Sequence, residues 1–173
     1  MKSVARRGHK KSVKQNEAIL NRRASFDYNL DSKLLVGLSL NGREVKAARL
    51  GHVSLKGAYV VPKINQTTKK QELFLINASF TLSNNAPHGS GQAKTTIDTS
   101  ARKILARRSE INRLCELKAS GYTIIPTKLL TSGHYIKLEI AAGKGKKLYD
   151  KRQVIKKRDT NREISRINKH YRV

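Results

Sequence analysis

Acidic residues are what this sequence has least of for its charge. Twelve Asp and Glu stand against thirty-seven Lys and Arg, a formal charge of +25 over 173 residues. Such an imbalance implies a polyanionic partner, because counterion release makes phosphate contacts a main source of affinity. Cysteine is nearly absent too. The single Cys115 excludes an internal disulfide and a cysteine-based zinc site, and reads as a small apolar residue on a helix. Long apolar runs are also missing. Nothing approaches the roughly 20 residues of a membrane span, and neither tail has the apolar face of an interfacial helix. The basic N-terminus has no apolar stretch of the kind a secretory signal carries. These absences leave a cytoplasmic, RNA-facing chain with no membrane partner.

Catalytic groupings are equally scarce. An enzyme needs a nucleophile with its base, a carboxylate pair, or metal ligands at the right spacing. Asp27 and Asp31 lie four apart, but no Glu or His completes a site, while His9, His52, His88 and His134 fall at scattered loop-like positions. The expectation is a protein that is not an enzyme and carries no cofactor or metal. A metal-dependent nuclease is the weakest alternative.

What the sequence does contain divides into three parts: a basic arm at 1–15, a folded domain at 16–142 and a basic tail at 143–173. The arm carries Lys2, Arg6, Arg7, Lys10, Lys11 and Lys14 with no acid. In the domain, a short helix is expected over Asn16–Ala24, then strands over Ser25–Leu30 and Leu34–Leu40, each alternating with period two. Asn41 is a candidate N-cap for a helix over Arg43–Leu50, with Arg43, Lys46 and Arg49 outward and Gly51 as its stop. Ala58–Val61 reads as a strand ended by Pro62, and Glu72–Phe80 as a strand with two apolar faces. Leu82–Thr96, with its Asn, Pro and Gly residues, reads as a long loop of the kind that is often functional. Asp98 or Thr99 is expected to cap the longest domain helix, running to about Lys118 with Ile104, Arg108, Ile111 and Cys115 on one stripe. Tyr122–Leu130 and Tyr135–Ala142 read as a hairpin, with Pro126 marking an edge. The fold class expected is mainly β with helices: a small, closed OB-like β-barrel of about six strands with covering helices, a fold that commonly binds nucleic acid.

The tail has twelve Lys or Arg from Lys144 onward against Asp150, Asp159 and Glu163. Its apolar seams are short: Ile164, Ile167 and Tyr171 on one face, Leu148 and Ile155 on another. That is too little burial to offset ordering, so the tail is expected to be disordered alone and helical against a polyanion. Tyr149 is expected to stack on a base rather than anchor the tail to the barrel.

The residues also resemble a known family. Asn21-Arg22-Arg23-Ala24, Asp27-Tyr28, Gly37–Lys46, Leu73–Asn77, Arg102-Lys103-Ile104-Leu105 and above all Gly143-Lys144-Gly145-Lys146-Lys147-Leu148-Tyr149-Asp150-Lys151-Arg152 are similar to the SmpB family of tmRNA-binding proteins. The chain differs from the family pattern at Leu35, at Gly57-Ala58 and at Leu82-Ser83. The resemblance implies an OB-like barrel that binds the tRNA-like domain of tmRNA through Asn21, Arg22, Arg23, Tyr28, Glu44, Lys46, Arg49, Asn77, Arg102 and Lys103. It implies a tail that enters the empty mRNA channel of a stalled ribosome, against small-subunit rRNA. The tail contacts would be Lys144, Lys146, Lys147, Tyr149, Asp150, Lys151, Arg152, Lys156, Lys157, Arg158, Arg162 and Arg166. Action as a monomer, delivered with the translational GTPase elongation factor Tu, follows from the same resemblance. Two site residues have competing local readings. Glu44 is balanced between an exposed helix acid, paired one turn away, and a role in ordering RNA. Asn77 reads better as a buried amide bonded to backbone than as a direct contact. A structural ribosomal protein, equally basic, is the alternative function.

Overall fold

Val36 and Leu38, Leu73 and Leu75, Leu138 and Ile140 stand two residues apart in sequence, and all six are buried. Period-two burial is the mark of strands facing one core. The computed structural model describes residues 18–83 and 95–170. The basic arm and His9, most of the expected long loop with His88, and Tyr171 lie outside the described residues. The elements in order are β1 (Ala18–Leu20), α1 (Ala24–Asp27), β2 (Tyr28–Leu38), α2 (Gly42–Arg49), β3 (Val53–Ser54), β4 (Tyr59–Ile64), β5 (Gln71–Ile76), β6 (Ser79–Ser83), β7 (Thr95–Asp98), β8 (Arg102–Leu105), α3 (Arg108–Ala119), β9 (Thr123–Leu130), β10 (Lys137–Gly145) and α4 (Leu148–His170).

Strands β9, β10, β2, β8, β5 and β4 hydrogen-bond in that order, and β4 returns to β9 through the pairing of Val60 with Ile124. The result is a ring of six strands, closed at one point, with β1 added outside β9. Val60, Leu73, Leu75, Ile104, Ile124, Leu129, Leu138 and Ile140 fill it. A second sheet, β3-β6-β7, joins the same core through Val53 and Phe80, with α2 packed against β6. The mainly β class and the ring of about six strands match the expectation from the sequence.

Several local expectations are corrected. Within the expected helix Asn16–Ala24, whose first two residues lie outside the described ones, Ala18, Ile19 and Leu20 form a strand that pairs with Leu130, Leu129 and Lys128. Adjacent apolar residues followed by Arg are compatible with either state, and the unpaired flank of β9 decides. Ala24–Asp27 is one helical turn, after which the two expected strands are a single strand, β2. Pro62 lies inside β4 opposite Leu73, where β4 has already left β9 on its other side. Pro126 is not on an edge; it is buried in β9 at a register shift, the other place where a residue without an N–H fits. The Glu72–Phe80 strand is broken at Asn77, whose φ of 59° turns the chain out of the ring and into the second sheet.

The largest correction concerns Arg102–Leu105, expected in a helix from Asp98 and found as strand β8. Arg102 and Ile104 are both buried, so the period is two; an inward arginine disguises it. The guanidinium donates four hydrogen bonds and makes two ion pairs. Its Nε donates to Glu44 Oε1 at 2.6 Å, Nη1 to the carbonyls of Ala78 and Ser100 at 3.0 and 2.6 Å, and Nη2 to the Asp98 carbonyl at 3.3 Å, with the Asp98 carboxylate ion-paired to Nη2 at 3.1 Å. The cation sits 4.0 Å from the centre of the Phe80 ring. Glu44 Oε2 meanwhile accepts the Asn41 backbone N–H at 2.8 Å, completing the capping box of α2. One buried ion pair thus holds α2, β6 and the β7–β8 corner together.

Removing one partner of such a pair leaves an uncompensated buried charge, at a cost of about 3–5 kcal/mol. Glu44→Ala should lower unfolding stability by that much in urea titrations. Lys46→Ala, on the exposed side of the same helix, should stay within about 0.5 kcal/mol. Equal small losses in both would mean the pair contributes little.

Candidate nucleic-acid interface

The ten residues expected to face tmRNA fall into an interior pair and several surface patches. Glu44 and Arg102 are the interior pair, with side chains 6% and 3% exposed. Both side chains point into the fold, so Glu44 is not the exposed helix acid of the local reading. The sequence carried one clue to this, the Asn41-x-x-Glu44 capping box. Asn77 is exposed rather than buried, but its amide does donate to a backbone carbonyl, that of Gly57, at 3.1 Å.

Asn21, Arg23 and Tyr28 line one hollow of about 400 Å³ together with Lys56, Tyr59 and Thr123. Asn21 is its hinge pin. The side-chain amide donates to the carbonyls of Leu55 at 3.0 Å and Pro126 at 2.8 Å, tying the start of the domain to β9. Arg22 and Arg23 are exposed, and Arg23 lies 3.5 Å from the Asp27 carboxylate. Sequence reasoning did not place Lys56 in the site; nothing in its local pattern sets it apart from other exposed lysines.

On α2, Arg43 and Lys46 line a second hollow of about 420 Å³ with His52, Thr81 and Ser83. Arg49, on the same helix, reaches the His134 carbonyl at 3.4 Å. Lys103 belongs to a third, wider groove with Arg107, Arg108 and Glu72, floored by Leu35 and Leu105. Its ammonium is paired with Glu72 at 2.7 Å. That pair is solvent-exposed, the kind that adds little stability and exchanges readily for a phosphate.

The tail motif is divided between fold and surface. β10 continues through Gly143, Lys144 and Gly145, paired with Leu30, Asn29 and Tyr28, so the expected boundary at 142/143 falls inside a strand. A Cβ on Gly143 would meet the Asn29 carbonyl at 2.9 Å, so the motif's first glycine permits this strand contact. Lys144 lies 4.8 Å from the Tyr122 ring centre. Lys146 donates from its backbone N–H to the Asp27 carbonyl at 2.9 Å and from Nζ to the Ser25 carbonyl at 2.7 Å. Asp150 accepts the Lys147 N–H at 3.1 Å at the start of α4. Lys151 reaches Asp27 Oδ1 at 2.8 Å.

Beyond this joint α4 displays its charge. Tyr149, Arg152, Lys156, Arg162 and Arg166 are exposed, and the helix also carries Lys157 and Arg158. Tyr149 is 59% exposed, which leaves its ring accessible to a base rather than packed as an anchor. Among the described residues no helix is long and apolar enough to cross a membrane.

A family model described as SmpB protein matches residues 18–170. The SsrA-binding protein of Caldicellulosiruptor saccharolyticus is 39% identical over 152 residues, covering 87% of this chain and 89% of its own length. That of Burkholderia vietnamiensis is 40% identical over 148 residues, 85% and 93% of the two chains. That of Cytophaga hutchinsonii is 38% identical over 159 residues, 91% and 97%. Among solved structures, a chain of the work described as "tmRNA-SmpB: a journey to the center of the bacterial ribosome" matches with a TM-score of 0.53 at 28% identity, over 76% of this chain and 86% of that one.

Four carboxyls in and around these patches are held below the usual carboxylate range by their partners. A hydrogen bond from Lys151 does this for Asp27, one from Lys103 for Glu72, the Ser100 backbone N–H for Asp98, and the Thr127 hydroxyl with Lys33 for Glu139. A depressed pKa in the folded state contributes stability above the unfolded value, lost as pH falls through the folded one. The urea midpoint should therefore be level from pH 7 to 5 and fall below about pH 4, the unfolded range. Glu72→Gln combined with Glu139→Gln should flatten the fall. A midpoint that rises on acidification would contradict the assignment.

Proposed function

The chain belongs to the SmpB family, and from that premise we propose that it is a tmRNA-binding adaptor of trans-translation. In this reading it delivers alanyl-tmRNA to ribosomes stalled without a usable codon. The observation that carries it is the division of the tail motif: a strand and clamp built into the ring, followed by a 23-residue helix on which Arg152, Lys156, Arg162 and Arg166 are exposed. The ring supplies the tmRNA face through Arg22, Arg23, Tyr28, Lys46, Arg49 and Lys103, supported by Asn21, Asn77 and the buried Glu44–Arg102 pair. The helix supplies the second face. Its Tyr149, Arg152, Lys156, Lys157, Arg158, Arg162 and Arg166, with Lys147 of the joint before it, match a channel lined by small-subunit rRNA phosphate. An occupied channel excludes the helix sterically, which selects stalled ribosomes without reading a codon. Action as a monomer, delivery with elongation factor Tu, a cytoplasmic location and the absence of a catalytic step belong to the same reading and rest on the resemblance.

Competition decides whether the ring is specific. Binding to tmRNA should weaken almost linearly on a log–log plot against salt, as any phosphate-dominated contact does. Bulk elongator tRNA should compete far less well than tmRNA; equal competition would leave only generic RNA binding, as for a structural ribosomal protein. Truncation after Tyr149 should keep tmRNA affinity within about twofold, since the ring retains its own cations. The same truncation should abolish single-round transfer of a stalled nascent chain to alanyl-tmRNA. Undiminished transfer would remove the second face from the account.

A further inference from the structure

Two residues, Lys146 and Lys147, join β10 to α4. A joint that short after Gly145, whose added Cβ would meet nothing within 4 Å, does not by itself fix the direction of the helix. Apolar packing contributes little: Leu148, Tyr149 and Ile155 are 75%, 59% and 47% exposed, and of the apolar residues near the helix start Val154 alone is part-buried. What α4 does meet is α1. There the Asp27 carbonyl accepts the Lys146 N–H, and its carboxylate accepts Lys151 Nζ at 2.8 Å with both side chains about three-quarters covered. The Lys146 ammonium bonds the Ser25 carbonyl one turn earlier, and Lys151 Nζ lies 5.9 Å from the Phe26 ring centre. Arg23 is the other charge facing Asp27, at 3.5 Å. The contacts converge on one acid, and it sits at the point where a small change of angle displaces the far end of a 23-residue helix most.

We propose that Asp27 is a positioning residue: through Lys151 it sets the direction in which α4 leaves the ring, and so where the basic tail is presented. It also lines the hollow of Asn21, Arg23 and Tyr28, so the joint and that patch meet at one residue. Its role in transfer rests on the adaptor reading; its role in aiming the helix does not. One charge-assisted hydrogen bond and one backbone bond suffice, because the alternative directions of a two-residue joint differ by little else.

The test uses the full chain with Cys115→Ser and spin labels at Gln66→Cys, on the β4–β5 turn, and Gln153→Cys, just past the clamp. Asp27→Asn should reduce the population in the original distance peak by about threefold to fivefold, the scale of one partly exposed ion pair. Asp27→Glu should keep most of that peak. Asp27→Lys should empty it, and adding Lys151→Asp should restore it. An unchanged peak in Asp27→Asn overturns the proposal whatever the protein binds. So does a broadened peak that the charge swap fails to narrow, since Asp27 would then act through the backbone of α1. Single-round transfer, measured with tmRNA saturating each variant, should fall in the same order for Asp27→Asn and Asp27→Lys. Transfer indifferent to a released helix would overturn the part of the proposal that concerns presentation, while a chain that binds no tmRNA would fail the adaptor reading and leave the distances to decide the clamp.

Discussion

The structure depends on one ion pair placed where a basic protein can least spare an acid. Arg102 stands inside the fold with four hydrogen bonds donated, and Glu44 answers it from α2 while capping that helix. Together with the packing of α2 on β6, the pair fixes that helix against β8, and so the exposed row Arg43, Lys46, Arg49 against Lys103. A buried ion pair is weak evidence for stability in itself, because desolvation consumes most of the Coulomb energy. Here its consequence is geometric: it assigns two charged residues to the interior so that their neighbours on the same elements face outward in a defined pattern.

The same economy runs through the remaining acids. Among the described residues Asp27 holds Lys151, Glu72 holds Lys103, Asp98 holds Arg102, and Glu139 holds Lys33. Glu110 and Asp150 accept backbone N–H groups at helix starts. These acids bind the protein to itself at particular joints rather than balancing its charge overall. Most of the thirty-seven cations are left to a polyanion, and the net +25 is the visible result.

Fold class and partner were legible in the sequence because they rest on pattern and composition: period-two apolar runs, an Asn41 cap with Gly51 beyond it, and a charge excess confined to no single element. The tail motif was legible as a unit, but not as a unit that is half strand. Gly143 and Lys144 look like linker until β2 is seen beside them, since pairing with a distant strand leaves no local trace. The same reason hid β8, where an inward Arg102 broke the apolar alternation, and β1, where three residues pair with a strand more than a hundred positions away. Glu44 was misplaced because its partner is 58 residues along the chain and sequence offers only neighbours one turn away as candidates. Asp27 stood out only as part of the Asp27-Tyr28 motif; its partner Lys151 is 124 positions along the chain, and its place in the joint comes from where α1 sits against α4.

The account divides the molecule into a ring that holds RNA and a helix that tests for an empty channel. A photo-cross-linking residue in place of Ile155, exposed on α4, tests that division directly on ribosomes programmed with mRNA ending in the P site or extending well beyond the A site. With tmRNA bound in both cases, cross-links to small-subunit rRNA should form on the first and be nearly absent from the second. Equal cross-linking on both, or none on either, would contradict it.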